Sequence, residues 1–217
     1  MTTNKQSTIA ILGGAGKAGR PLVQQALAAG YAVRLLLRHP QAFDLAHEQL
    51  EVVQGDVRDS ASVRNLLEGT SALLSTLGHT KGEPKPMMAA ATQNFVKSME
   101  EMGIGRCVVV SSLFVTGREQ LDPKTQEAAD YMQQHYPLFM DNRRLEFEVL
   151  LESTLDWTYV RVPLITQNPA MGSVKVSLNC LPGQQITAVD LADFLLNQLI
   201  DQHYIRQAPF VASKEWK

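Results

Sequence analysis

The stretch Ile9-Ala10-Ile11-Leu12-Gly13-Gly14-Ala15-Gly16-Lys17-Ala18-Gly19-Arg20 decides how the rest of the chain is read. A short apolar run enters a glycine-rich turn, and the turn enters a segment of helical periodicity. Gly14-Ala15-Gly16-Lys17-Ala18-Gly19 fits G-x-G-x-x-G, and Gly13, Gly16 and Gly19 fit G-x-x-G-x-x-G. Glycine lets the chain turn with positive φ and lets backbone approach a pyrophosphate. The helix behind the turn offers free N–H groups and the positive end of its dipole. Gly19, one turn in, permits close helix–strand packing. In this strand–turn–helix setting the motif points to dinucleotide binding rather than to a merely glycine-rich turn. A P-loop is excluded, because Ile11 stands where its first glycine belongs and Ala18 stands where Ser or Thr would bind magnesium.

Outward from this stretch the chain alternates short β-rich runs with longer helical segments, which predicts a parallel sheet with crossover helices. Thr8–Leu12 reads as a first strand buried on both faces. A helix from about Ala18 carries Leu22, Val23, Ala26 and Leu27 on one face and stops near Gly30. Further strands are read at Ala32–Leu37, Leu50–Gln54, Ala72–Leu77, Arg106–Ser111 and Trp157–Val162, with a final short one at Pro209–Ala212. Asp59 or Ser60 caps a helix through Leu67. Gly78–Pro86 reads as a loop, followed by a long helix to about Met102. Pro137 opens a helix to about Ser153, and Val189–Gln202 forms the last one. Residues 113–136 are polar and irregular, with a short helix near Gln126–Gln134. Residues 163–186 are rich in Pro and Gly, with a short strand at Ser173–Ser177. The expectation is one doubly wound α/β domain over residues 1–217. Both irregular stretches follow strand C-termini, the edge where open α/β sheets bind ligands, so they are the expected substrate cover.

Composition narrows the class. The 217 residues are 45% hydrophobic and 19% charged, too apolar and too weakly charged for a disordered chain. The formal charge of −2 leaves no electrostatic footprint for nucleic acid or anionic lipid. No apolar run approaches the ~18 residues of a membrane helix. Cys107 and Cys180 make no disulfide scaffold. The opening MTTNKQSTIAILGG has one Lys and then only a five-residue apolar stretch, so the expected location is cytoplasmic.

The choice of nicotinamide turns on the end of the second strand. An NAD site usually places Asp or Glu there to take the ribose hydroxyls. This strand reads Val33-Arg34-Leu35-Leu36-Leu37-Arg38-His39, so the end position holds Arg38. A planar guanidinium can grip a 2′-phosphate, with Lys17 or His39 assisting, and NADP(H) is expected over NAD(H). The plainer alternative for Arg38 is a solvated surface charge.

Several segments fall in an order that resembles a known family: the glycine loop, Gln54-Gly55-Asp56-Val57-Arg58-Asp59, Ser75-Thr76-Leu77-Gly78, Val110-Ser111-Ser112, Leu155-Asp156-Trp157-Thr158-Tyr159-Val160-Arg161 and Ile186-Thr187-Ala188-Val189-Asp190-Leu191-Ala192. Together they resemble the atypical short-chain dehydrogenases/reductases, the NAD(P)H-binding proteins related to NmrA-like regulators and to flavin and biliverdin-IXβ reductases. The resemblance implies a Rossmann fold, the doubly wound sheet already expected. It implies that Asp56, with Val57 beside it, approaches the adenine and that Gly78 lies by the cofactor. The expected cofactor residues are then Gly13, Gly14, Ala15, Gly16, Lys17, Ala18, Gly19, Arg38, Asp56, Val57, Leu77, Gly78 and Ser111.

Hydride-transferring members of the wider family usually carry Tyr-x-x-x-Lys, in which Tyr moves the proton and Lys lowers its pKa. Four residues beyond Tyr31, Tyr131, Tyr136, Tyr159 and Tyr204 stand Leu35, His135, Met140, Pro163 and Ala208. By register the motif positions fall on Phe139 and Arg143. Phe has no proton to give, and Arg stays protonated. Arg143 is read either as a contact to ribose or phosphate or as a solvated helix charge. Ser112 matches the family serine that aids the tyrosine, and His79, just after Gly78, is a candidate acid; each also has a plain structural reading.

Other constellations fail. His47-Glu48-Gln49-Leu50-Glu51 lacks the second histidine of a zinc helix, and the five histidines show no ligand spacing. The esterase elbow G-x-S-x-G is absent. The first functional reading is an NADPH-dependent reductase of a small planar acceptor such as a flavin or quinone, which can take its proton from water. The second is a non-catalytic NADP(H)-binding redox sensor. An epimerase or dehydratase is disfavoured, because it needs an internal base.

Overall fold

The period-two alternation of β1 (Thr8–Leu12) sends Ile9 and Ile11 to one face of a sheet and Ala10 and Leu12 to the other, and all of them are buried. The structure, a computed structural model, describes residues 7–78, 86–117 and 119–213. After β1 come α1 (Gly19–Ala28), β2 (Ala32–Leu37), β3 (Leu50–Gln54), α2 (Ser60–Leu67), β4 (Ala72–Ser75), α3 (Met88–Met102) and β5 (Arg106–Ser111). There follow α4 (Pro123–His135), α5 (Pro137–Glu152), β6 (Asp156–Arg161), β7 (Leu164–Thr166), β8 (Lys175–Ser177), β9 (Gln185–Thr187), α6 (Ala188–Asn197) and β10 (Phe210–Ala212).

The main sheet runs β3-β2-β1-β4-β5-β6-β10-β8. It is parallel except for β8, which lies antiparallel to β10. The order reverses between β1 and β4, which makes a doubly wound Rossmann sheet with its crevice at that point. One face packs Ile9, Ile11, Leu35 and Val108 against α1 and α6. The other packs Ala10, Leu12, Val109 and Tyr159 against α2, α3 and α5, where Phe95, Met99 and Phe147 fill the layer. None of the helices is long and apolar enough to cross a membrane among the described residues.

Local chemistry sets the element ends. Asp59 caps α2 by accepting from the Ala61 and Ser62 N–H groups. Gly103 takes a left-handed φ of 69° after α3. Sheet pairing of the fourth strand stops at Ser75, two residues short of the expected end, because the Leu77 carbonyl turns to accept from Arg143. The stretch 119–136 holds a longer helix than expected. Asp122 accepts from the Thr125 N–H, Pro123 sits at the first helical position, and α4 runs to His135. Within 163–186, β7 and β9 pair as a separate small parallel sheet. Their three-residue length leaves no periodicity to read.

Asp190, in the first turn of α6, ties this second segment down. Its carboxylate accepts from the Met171 and Gly172 N–H groups at 3.0 and 3.1 Å. Burial pushes its pKa up, but those two donors and the Thr187 and Ser213 hydroxyls more than offset this and hold it below the usual value. A depressed carboxyl stabilises the fold above its unfolded value of about 3.9 and loses that contribution as pH falls through the lower folded value. Chemical denaturation between about pH 5 and pH 2 should therefore show an acid loss of stability that is shallower in Asp190→Asn.

Candidate functional site

The turn between β1 and α1 is closed by a hydrogen bond from the Gly16 N–H to the Gly13 carbonyl, at 2.9 Å. Gly13 has a φ of +79°, and a Cβ there would lie 2.8 Å from Thr76 Oγ1 and 2.9 Å from the Thr76 carbonyl. Thr76 is itself fixed, since its backbone N–H and its hydroxyl both donate to the Leu12 carbonyl. A Cβ on Gly19 would lie 2.1 Å from the Gly13 carbonyl oxygen and 2.6 Å from Gly14 Cα. The first turn of α1 thus rests directly on loop backbone. Ala18, at the helix N-cap, makes no side-chain cap, and the first turn carries no acidic residue. Ala15, Gly16 and Lys17 are exposed. An uncapped helix start, a bare glycine turn and an absent counter-charge fit a pyrophosphate.

The neighbouring strand ends complete one edge. Arg38 follows β2 and is half-buried, and His39 beside it is exposed. The Arg58 guanidinium holds the Asp56 carboxyl below its ordinary range, and Arg38 adds to that pull. Asp56 Oδ1 accepts from both the backbone N–H and Nε of Arg58, at 2.9 Å. Val57 is buried, and its carbonyl accepts from Asn94 Nδ2 on α3 at 2.9 Å, which fixes the turn after β3. Gly78 faces open space at the end of the fourth strand segment. Gly13–Gly19, Arg38, Asp56, Val57, Leu77, Gly78, Ser111 and Ser112 therefore share the C-terminal edge of the sheet. His79 lies outside the described residues.

Arg143 is not a solvated helix charge. It is 3% exposed, and its guanidinium donates to Glu146 Oε2 at 2.6 Å and to the carbonyls of Leu77 and Val110 at 3.0 and 3.3 Å. Glu146 also accepts from the Tyr159 hydroxyl at 2.7 Å, and Ser111 Oγ donates to that hydroxyl at 2.8 Å. Burial first, and the Glu146 charge second, push the Tyr159 phenol well above its ordinary pKa.

Beyond the ends of β5 and β6 lies a cavity of about 960 Å³. Ser112, Leu113, Tyr131, Met132, Tyr136 and Leu181 are among the residues lining it. Ser112 Oγ is buried there without a hydrogen-bond partner among the described residues. Both covering segments contribute walls, and they are joined where the Leu181 N–H donates to Thr125 Oγ1 at 2.8 Å.

Beneath this cover sits Arg161 at the end of β6, 1% exposed. It pairs with Glu119 and donates to the carbonyls of Phe114, Leu178 and Ala208, with its guanidinium 3.5 Å from the centre of the Phe210 ring. Burial lowers its pKa to about 10, against the opposing pull of Glu119. In the sequence Arg143 stands between two readings, neither of them a buried ion pair, and Arg161 with Glu119 does not stand out. The available signal was an arginine ending an apolar strand, Tyr159-Val160-Arg161.

A sequence model described as NAD(P)H-binding matches residues 13–202. A short-chain dehydrogenase/reductase from Veillonella parvula, solved in complex with NADP, superposes with a TM-score of 0.78 at 16% identity, covering 97% of this chain and 99% of its own. An anaerobillin reductase from Escherichia coli O157:H7 gives 0.79 at 20% identity, covering 97% and 99%. An oxidoreductase from Lactococcus lactis gives 0.77 at 17% identity, covering 96% and 91%.

Two substitutions probe this architecture. Gly19→Ala forces α1 off the loop, and calorimetry should show nucleotide affinity falling by about tenfold or more. Glu119→Leu leaves the Arg161 charge buried and uncompensated. Urea denaturation should show a loss of about 3–5 kcal/mol, and Glu119→Gln, which keeps an acceptor, should lose less.

Proposed function

Because the chain belongs to the NAD(P)H-binding family, we propose that it is an NADPH-dependent reductase of a small planar acceptor, such as a flavin or quinone. The observation that carries this reading is the cavity beyond β5 and β6. It adjoins the edge that fits the dinucleotide, and its walls are aromatic and aliphatic apart from a few polar groups. Flat conjugated molecules bind such surfaces through area and ring contact, with a few polar groups fixing their orientation. The anaerobillin reductase among the structural neighbours is in keeping with it.

In this reading the turn Gly13–Gly19 and the uncapped start of α1 hold the pyrophosphate. Arg38 holds the 2′-phosphate, with Lys17 and His39 near it in the chain. Asp56 and Val57 border the adenine, and Leu77, Gly78 and Ser111 border the nicotinamide. When bound, the dinucleotide supplies the hydride. The chain's own part is to hold the acceptor flat at the strand ends and to offer it the Ser112 hydroxyl, which has no hydrogen-bond partner among the described residues. Tyr159 moves no proton in this scheme, since its hydroxyl is buried and committed to Glu146. Flavins and quinones need no protein acid, because water can protonate them.

The second reading, a redox sensor that binds NADP(H) without turnover, is favoured by one observation. The positions of the Tyr–Lys pair are taken by Phe139 and Arg143, and Arg143 is bound up with Glu146.

A single set of measurements addresses both readings. Purified protein with NADPH and a panel of flavins and quinones should oxidise the nucleotide, followed by its absorbance. Tight NADPH binding with no turnover on any acceptor would favour the sensor. NADPH should bind more tightly than NADH, and Arg38→Ala should cost NADPH about ten- to a hundredfold while leaving NADH nearly unchanged. Tighter binding of NADH by the wild type would overturn the nucleotide assignment.

A further inference from the structure

Arg143 stands where the wider family keeps a lysine, yet its guanidinium is enclosed by protein. It is 3% exposed, and its charge is matched by Glu146 at 2.6 Å, so a phosphate has neither access to it nor an unbalanced charge to answer. Besides Glu146, the guanidinium donates to two backbone carbonyls, and its Nε is buried with no partner among the described residues. One belongs to Leu77, the residue before Gly78, and the other to Val110, the residue before Ser111. The first carbonyl lies two residues beyond the end of β4 and the second at the last residue but one of β5, so one guanidinium ties the C-terminal ends of two neighbouring strands. The carboxylate that balances the charge is held in turn by Tyr159 and, at 3.4 Å, by Thr92 on α3. The Phe139 ring lies 5.2 Å from the guanidinium and closes its remaining side. The glycine turn and Arg38 take no part in these contacts.

We propose that Arg143 is a positioning residue that sets the gap between the Leu77–Gly78 and Ser111–Ser112 segments, and so the seat of the nicotinamide half of the cofactor, without touching it. This rests on the reading above, in which those segments border the nicotinamide. A planar guanidinium has donors on more than one side and can reach two carbonyls and a carboxylate at once. A lysine ammonium on its single stem cannot reproduce that fork. Glu146 belongs to the same device. Its charge makes a buried cation tolerable, and the Tyr159 hydroxyl keeps its carboxylate turned towards Arg143.

The inference separates the two halves of the nucleotide, and calorimetry on two probes tests it. Adenosine 2′,5′-bisphosphate reports the Arg38 half alone, and NADPH reports both halves. In Arg143→Lys the bisphosphate should keep its affinity within about twofold while NADPH weakens by about tenfold. Glu146→Gln should weaken NADPH selectively in the same way, although the guanidinium is still present. Tyr159→Phe keeps the ring in the core and should shift NADPH in the same direction by a smaller factor. These two serve if Arg143→Lys does not fold. Parallel loss of both probes would overturn the proposal in favour of a general packing role. Unchanged or tighter NADPH binding in Glu146→Gln would overturn it in favour of a direct contact. A wild type that binds the bisphosphate but not NADPH would also overturn it. A wild type that binds neither probe would instead defeat the nucleotide reading on which it stands.

Discussion

The contact between Gly19 and the carbonyl of Gly13 is the constraint on which the rest of the molecule depends. A Cβ would stand 2.1 Å from that oxygen, so any side chain at Gly19 would push the helix away from the strand. The same closeness places the start of α1 over the crevice and leaves its first N–H groups without a side-chain cap. Close packing and the uncapped helix start are thus one arrangement, and neither could be changed alone. The return of the chain through α1 then sets β2 beside β1 in the register Ile9↔Val33, from which Arg38 arrives at the sheet edge.

The far half of the sheet is organised by buried charge instead. Arg143 with Glu146 and Arg161 with Glu119 are nearly inaccessible to water, and each arginine gathers backbone carbonyls from separate segments. Taking such groups from water is costly, and continuum arguments hold that apolar residues of equal volume often stabilise as well or better. What the ions provide is direction. A hydrophobic side chain packs against any surface of the right shape, whereas a guanidinium accepts only oxygens along its N–H axes. Irregular segments such as 113–117 and 178–181 have little periodic structure to align them, and directional bonds supply the alignment.

The sequence was most legible where one local rule acts alone. β1, β2 and β5 end where their apolar runs end, because each lies inside the sheet and is mostly buried, and β3, at the sheet edge, was legible from its short β-rich run although Glu51 and Gln54 are exposed. The glycine spacing and Asp59 were legible for the same reason: backbone geometry and capping are nearest-neighbour chemistry. The exceptions depend on partners far along the chain. The early end of the fourth strand follows from Arg143, more than sixty residues away in sequence. Arg143 itself could be read as exposed or as ligand-facing, and only the arrival of Glu146 and Tyr159 beside it decides its burial. β7 and β9 form because they meet each other, and their short runs carry no pattern of their own. α4 showed its cap and its proline in plain view, but its polar face obscured its full length, which exceeds the expected Gln126–Gln134.

That polar face has a consequence for how the cavity can change. Of the residues of α4, only Thr125 and Ala129 are buried, while Lys124, Ala128, Tyr131 and Met132 border the cavity. Ala128 and Met132 pack against the core, whereas Lys124 and Tyr131 are exposed, so exchange at those two would disturb little of the interior. Those two positions form a replaceable rim on a fixed frame. The mouth of the cavity can be reshaped there while the glycine turn after β1 stays as it is.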